Sequence, residues 1–314
     1  MNSQMTSQMH SQPGSGIQQL KKSESATAVP SRYVVITPAR DEAQYIEDTI
    51  RSVLSQTITP AEWVIVDDGS TDGTASVIDR YAAQYPWITA IHRPNCGLRN
   101  NNTGAIAAFM DGYRSLKSTD WTFIVNLDAD ISLEPDYFEK CFTEFREGPN
   151  LGIGGGVLYH LENGVAKAEV ALLSHVRGAT KIYRRACWDA IGGLNNTPGW
   201  DTLDEAKANM LGWRTLSFSH IMALHLRPTG AAEGAWRDAV KNGESEYFSG
   251  YHPVFMLAKC LRRAFAKPYF VVGAGLFYGF FSSHFRKSPQ VEDKSLIRYL
   301  RRQQMRRLLF LGEK

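Results

Sequence analysis

The sequence has no paired cysteines. Its four, Cys96, Cys141, Cys187 and Cys260, lie far apart and form no C-x-x-C. That spacing excludes a zinc ribbon and a disulfide framework, and implies free thiols in a reducing compartment. An apolar run is also missing from residues 1–31, which are rich in Ser, Gln and Met. They read as a disordered leader rather than a signal peptide. No internal repeat occurs, and no apolar run reaches the roughly 20 residues of a relaxed membrane span. What is present is ordinary for a globular chain of 314 residues, with 43% hydrophobic and 21% charged residues. Charge is unevenly placed. From Lys259 to Lys314, 13 Lys and Arg face three Asp and Glu, so the remainder carries −7 against an overall +3. An acidic body with a basic tail suits an anionic surface. Because the tail's charges alternate with apolar residues, lipid is expected there and nucleic acid is not.

Apolar periodicity sets out the body. Tyr33 to Thr37 reads as a buried strand stopped by Pro38, and Ile46, Ile50, Val53 and Leu54 as a helix. Trp63 to Val66 is a second strand, followed by a helix carrying Val77, Ile78 and Tyr81. Ile88 to Ile91 is a third strand, Ile106 to Leu116 a helix and Trp121 to Leu127 a fourth strand. Further on, Tyr137 to Phe145 reads as helix, Gly152 to Tyr159 and Val176 to Tyr183 as extended. Thr202 to Leu211 then reads as helix and Thr215 to Leu224 as a last strand. This rhythm predicts an α/β fold with a mostly parallel sheet flanked by helices. Residues 32–230 would form that domain and 231–314 a helical, basic, membrane-associating region.

Ligands of such sheets sit beyond the carboxyl ends of the strands. Two acidic clusters fall there. Asp128-Ala129-Asp130 ends the strand Phe123–Leu127, and its paired carboxylates offer hard oxygen ligands suited to Mg²⁺ or Mn²⁺ together with a ligand's phosphates. The bland alternative is a solvated turn, against which the buried strand before it argues. Asp67-Asp68-Gly69-Ser70-Thr71-Asp72-Gly73 closes an earlier strand. A capped turn explains its glycines and serine, but not two acids at the strand end.

Four stretches together carry a resemblance. They are Thr37-Pro38-Ala39-Arg40-Asp41-Glu42, Ser52-Val53-Leu54-Ser55-Gln56-Thr57, Val66 to Gly73, and Leu127 to Asp130. In order and spacing they resemble the family 2 glycosyltransferases and their GT-A fold, clearly from Tyr33 to about Asp130 and more loosely to about Gly230. The resemblance implies transfer of a sugar from a nucleotide diphosphate sugar, of which a UDP-sugar is the expected kind, to a lipid-linked or saccharide acceptor. It implies that Pro38, Ala39 and Glu42 line the nucleoside pocket and that Asp68 accepts from the base. Asp128 would lie by the ribose and diphosphate, and Asp130 would hold the metal. Arg99 would pair with the diphosphate, although the family's basic residue falls a few positions later, at Asn101 and Asn102. Lys181, Arg184 and Arg185 are further candidates for the same ligand, or solvated surface.

Gly199-Trp200-Asp201-Thr202-Leu203-Asp204-Glu205 precedes Gly212-Trp213 and is similar to the segment where the family places Glu-Asp. Its distance from Gly212 matches Asp201 to the catalytic base of an inverting reaction, with Asp204 second. Trp200 stands where the family usually has Glu. An N-cap and helix-dipole role is the structural alternative. His225 is a candidate for the metal or diphosphate, or a structural histidine. Two other readings stand beside sugar transfer. A nucleotidyltransferase would open on a Gly-rich loop, and the first turn here has none. An inactive scaffold would not need Asp68, Asp128, Asp130 and Asp201 together.

Tyr269 to Phe285 is apolar and flanked by Arg262, Arg263 and Lys267 on one side and Arg286 and Lys287 on the other. It reads as an interfacial or spanning helix, with a buried core helix as the alternative. Ile297, Leu300 and Leu308, set among Arg298, Arg301, Arg302, Arg306 and Arg307, read as a basic amphipathic helix on anionic lipid. The expected location is the cytoplasmic face of a membrane.

Overall fold

The computed structural model describes residues 32–95, 104–162, 164–169, 174–227, 234–265 and 268–309. The expected leader 1–31, Arg99 and Lys267 lie outside them. The first half alternates strand and helix: β1 (Tyr33–Ala39), α1 (Ile46–Leu54), β2 (Glu62–Asp67), α2 (Thr74–Gln84), β3 (Ile88–His92), α3 (Gly104–Ser115) and β4 (Phe123–Leu127). Next come β5 (Ile131–Leu133), α4 (Tyr137–Glu147), β6 (Leu151–Glu162), β7 (Val165–Ala168), β8 (Thr180–Arg184) and α5 (Arg185–Ile191). The chain continues through α6 (Trp200–Met210), β9 (Arg214–His225), α7 (Ala235–Phe248), α8 (Pro253–Ala264), α9 (Val271–Phe285) and α10 (Lys294–Leu308).

One sheet runs in the order β3-β2-β1-β4-β8-β6-β9-β5, with β7 paired to β6. Its β3-β2-β1-β4 half is parallel, as the strand–helix rhythm predicts. Beyond β4 the expectation of a mostly parallel sheet fails, because β8 is antiparallel to both β4 and β6, and β5 to β9. The β6–β7 pair is antiparallel too, joined by a tight hairpin at Gly164 where a parallel neighbour would need a crossover, while β6 and β9 run parallel. Nor does Pro38 stop β1, which pairs with β2 through Pro38 and Ala39.

The central strands are buried on both faces, which accounts for their unbroken apolar runs. Val35, Ile65 and Val125 pack with Ile50, Phe138 and Phe142 on one side. Val34, Ile36 and Ile124 pack with Phe109, Tyr183 and Trp188 on the other. At Gly112 of α3 a Cβ would come 2.7 Å from Ile36 Cγ2, so only glycine lets that helix lie this close to β1.

The C-terminal helices differ from expectation. The apolar stretch forms α9, 15 residues long, and among the described residues no helix is long and apolar enough to cross a membrane. One face of α9 is core. A Cβ at Gly279 would stand 2.1 Å from the Val240 carbonyl oxygen of α7, and Ala239, Tyr247, Leu276 and Phe280 are buried around that contact. The last helix does not have a free apolar side for lipid. Leu296 and Leu300 of α10 are buried with Leu203 and Ala206 of α6, and Arg301 Nε donates to the Gly250 carbonyl at 2.8 Å. A helix whose apolar stripe meets another helix has already satisfied the tendency that its sequence pattern signals.

Candidate active site: carboxylates at the carboxyl edge of the sheet

Parallel pairing of β2, β1 and β4 brings the turns after Asp67, Ala39 and Leu127 out at one edge of the sheet. Asp68 and Asp130 therefore follow strands that end at the same edge. The first two turns are laced together. Asp41 Oδ1 accepts from Thr71 N at 2.8 Å, Glu42 N donates to Thr74 Oγ1 at 2.8 Å, and Ala43 N donates to Asp72 Oδ2 at 3.1 Å. Asp67 is buried in this turn, accepting from Ser70 N at 3.0 Å. Asp68 is partly exposed, ion-paired to Arg93 and 3.9 Å from Arg40 Nη1. Its Oδ2 would lie 3.4 Å from a Cβ at Gly104, the first residue of α3. Pro38 and Ala39 sit at the end of β1 beside Val66 and Asp67.

The turn Asp128–Asp130 is clamped by three elements. Asp128 N donates to the Ala179 carbonyl at 2.9 Å, Thr49 Oγ1 to the Ala129 carbonyl at 2.8 Å, and Leu226 N to the Asp130 carbonyl at 2.9 Å. Around it gather two acids and two bases from distant stretches. Arg227 Nη2 donates to Glu42 Oε1 at 2.7 Å and to Asp130 Oδ2 at 3.0 Å. His225 Nε2 lies 3.4 Å from the same Asp130 oxygen, while its Nδ1 lies 2.8 Å from Glu169 Oε1. Burial opposes a charge on His225, but Asp130 and Glu169 outweigh it and hold the imidazole up at about 9. Asp128 is pushed up to about 7, first by burial and then by the neighbouring Asp130. A buried carboxylate raised by an acidic neighbour in this way has room for more positive charge than the protein provides.

Among the described residues no three His, Cys, Asp or Glu side chains form a ready cage for a metal ion. The donor chemistry still suits a hard cation. Asp128 and Asp130 are adjacent carboxylates, and Mg²⁺-type sites usually take only one or two of these and complete the shell with phosphate and water.

The candidate base stands on α6. Asp201 lies half-buried in its first turn, and its carboxylate makes no hydrogen bond or ion pair to another described residue. Beneath it Lys181 of β8 is wholly buried, donating to the Asp201 carbonyl at 2.7 Å and to both oxygens of Asp204 at 3.1 Å. Burial acts against the Lys181 charge, yet Asp204 and Glu205 reverse that and raise it. Asp204 also accepts from the Tyr183 hydroxyl. The choice of Asp204 as second base is thereby corrected, since its carboxylate is buried and already engaged by Lys181. Lys181 likewise does not face a diphosphate. Arg184 is held by the carbonyls of Leu151 and Gly148 at 2.8 and 3.1 Å and Arg185 by those of Thr119 and Trp121. Trp200, in the place of the family's Glu, lies over Lys181 with Nζ 5.4 Å from its ring. Its ring would be 3.0 Å from a Cβ at Gly178, beside the Ala179 that anchors Asp128.

Residues 34–193, half of the chain, match the family described as glycosyl transferase family 2. The chain belongs to that family. The family 2 chain is 36% identical over 133 residues to a chondroitin synthase of Escherichia coli, covering 42% of this chain and 18% of that protein. It is 34% identical over 106 residues to the putative teichuronic acid biosynthesis glycosyltransferase TuaG of Bacillus subtilis, covering 34% and 38%. The chain thus spans well under half the length of these relatives. In fold it is similar to a mannosyltransferase of Pyrobaculum calidifontis solved with GDP-Man and Mn²⁺, with a TM-score of 0.52, 17% identity, and 90% and 76% of the two chains covered. It is also similar to S. aureus TarS 1-349 solved with UDP-GlcNAc, with a TM-score of 0.51, 16% identity, and 89% and 83% covered.

The family 2 site has members that its motifs do not announce. Glu169 follows β7 with no recognisable pattern around it, and binds His225 and Arg177. Arg227 carried a signal, being two residues from His225 at the end of a strand, where alternate residues share a side.

Proposed function

We propose that the chain transfers a sugar from a nucleotide diphosphate sugar to a hydroxyl of a saccharide or lipid-linked acceptor, with inversion at the sugar carbon. UDP-sugars are the first donors to test. One observation carries this reading: Asp201, whose carboxylate has no hydrogen bond or ion pair to another described residue, stands on the helix whose Trp200 packs against the segment that anchors Asp128. Support also comes from family membership and from fold neighbours solved with GDP-Man or UDP-GlcNAc.

In this reading Asp201 takes the proton of the acceptor hydroxyl as its oxygen attacks the sugar carbon from behind. The bond from that carbon to the diphosphate oxygen breaks, and the nucleoside diphosphate leaves with the electron pair. Asp128 and Asp130 would hold Mg²⁺ or Mn²⁺, which neutralises charge developing on the leaving group. Asp68, Pro38 and Ala39 border the nucleoside side of the crevice. Arg227 and His225 supply positive charge on the Asp130 side.

The test is release of nucleoside diphosphate from a panel of nucleotide sugars with Mn²⁺ and saccharide acceptors. Asp201→Asn is expected to retain nucleotide binding and to lose roughly 10²- to 10⁴-fold in turnover. Normal turnover by that variant would refute the assignment of the base.

A further inference from the structure

We propose that the α8–α9 helical hairpin is a docking surface for an anionic lipid bilayer, against which it lays its exposed apolar side without crossing. The inference concerns the outer side of the hairpin and does not depend on the reaction.

The apolar residues on the outside of this hairpin are patterned. On α8, Val254, Leu257, Leu261 and Phe265 follow one another at three or four residues, the spacing of a single helix face, and all are exposed. On α9, Val271, Ala274, Phe277, Tyr278 and Phe285 line the side opposite its buried glycines. Trp236 of α7 extends this side, its ring 6.2 Å from that of Tyr278. The exposed apolar side chains run the length of both helices, with Phe265, Tyr269 and Phe270 at 69%, 56% and 66% near one end and Phe285 at 80% at the other. Soluble chains rarely leave so many large apolar side chains together on one surface.

Phe270 adds a separate observation. Its φ is +64°, a left-handed backbone unusual for a bulky residue, and its ring points to solvent all the same. Among the described residues nothing rewards an aromatic there, since glycine would fit the backbone better. An external partner for the ring would.

Charge selects the partner. From Pro253 to Lys287 the sequence has six Lys and Arg and no Asp or Glu. Arg262, Arg263, Arg286 and Lys287 are exposed along the hairpin. A second copy of the chain, joined through the same face, would set these cations against one another. A bilayer bearing anionic headgroups complements them, while Tyr and Trp suit the boundary between headgroup and acyl chain. The arrangement also assigns lipid contact to α8 and α9 rather than α10, whose apolar stripe is occupied by α6.

Sedimentation of the full chain with phosphatidylglycerol-rich vesicles, compared with pure phosphatidylcholine, tests this directly. Binding is expected to the former and to be much weaker to the latter. Arg262→Gln with Arg263→Gln, both exposed, should weaken binding roughly thirtyfold, at about fivefold per cation. Phe270→Gly should raise the melting temperature by relieving the backbone and yet weaken vesicle binding severalfold. Arg302→Gln on α10 should change binding less than either hairpin variant. The proposal is overturned if the wild-type chain stays in the supernatant, or if Arg302→Gln alone abolishes binding. A stable dimer in sedimentation velocity that the Phe270 variant dissociates would overturn it as well, in favour of a second copy.

Discussion

The Nζ of Lys181 lies 2.7 Å from the carbonyl oxygen of Asp201, so a buried cation on β8 fixes the first turn of the helix bearing the candidate base. The same ammonium is within 3.1 Å of Asp204 and 3.0 Å of Glu205. Position and stability are thereby joined in a single side chain. Replacing Lys181 by Met would leave two buried carboxylates without their cation. The expected loss is about 3–5 kcal/mol of unfolding free energy, the range for breaking a buried pair from one side. Urea denaturation with an unchanged m-value would measure it. A loss below about 1 kcal/mol would show that the network is better hydrated than its burial implies.

Removal of Asp130 acts on three partners. Arg227 and His225 lose a shared acceptor, and Asp128 loses the neighbour that raises it. Asp130→Ala is expected to abolish the part of nucleotide binding that requires Mn²⁺, while any metal-independent part survives. Thermal shift with nucleoside diphosphates, with and without metal, reads this because a bound ligand raises apparent stability. An undiminished metal effect in the variant would remove Asp130 from the cation's ligands.

His225 gives a pH dependence with a definite sign. Its folded value of about 9 stands above the ordinary 6.5, so the stabilisation is complete below pH 6.5. It is then lost as pH rises through about 9. The difference in stability between the wild-type metal-free chain and His225→Gln should therefore shrink from pH 6 to pH 10, by up to roughly 3 kcal/mol. Asp128 governs the opposite limb. A proton on its carboxyl competes with a metal ion, so Mn²⁺-dependent nucleotide binding should weaken as pH falls through about 7. Isothermal titration across that range checks the second effect and denaturation the first.

The contact of α7 with α9 depends on missing side chains. Gly243 and Gly279 would place a Cβ 2.4 Å from the Leu276 carbonyl oxygen and 2.1 Å from that of Val240. Gly279→Val should cost at least about 2 kcal/mol, since backbone rather than a flexible side chain must move. A melting temperature within a degree of wild type would contradict the close packing.

Most of the first half was legible in residue order. Val34 to Ile36, Val64 to Val66 and Ile124 to Val125 are unbroken apolar runs because helices cover both faces of the sheet, and the acids after them mark its carboxyl edge. Short or composite features were not legible. The three residues of β5 carry no period, and the antiparallel placement of β8 between β4 and β6 has no signal in its own sequence. Asp204 and Asp201 differ little as letters, and only the arrival of Lys181 beneath α6 separates a buried ion pair from an open carboxylate. In the C-terminal region the apolar content was visible, but not which side of it was taken.

By itself the sequence determined the parallel core, the turns that end it in Asp68, Asp128 and Asp130, and the basic, acid-poor character of the final quarter. These are local properties, set by side-chain period, turn chemistry and charge. Tertiary structure alone decided that Glu42, Glu169, His225 and Arg227 meet around Asp130, and that α10 rather than a membrane covers α6. Such pairings join residues as far apart as 185 positions, and their geometry comes from how strands are ordered in the sheet rather than from any pattern near the residues themselves.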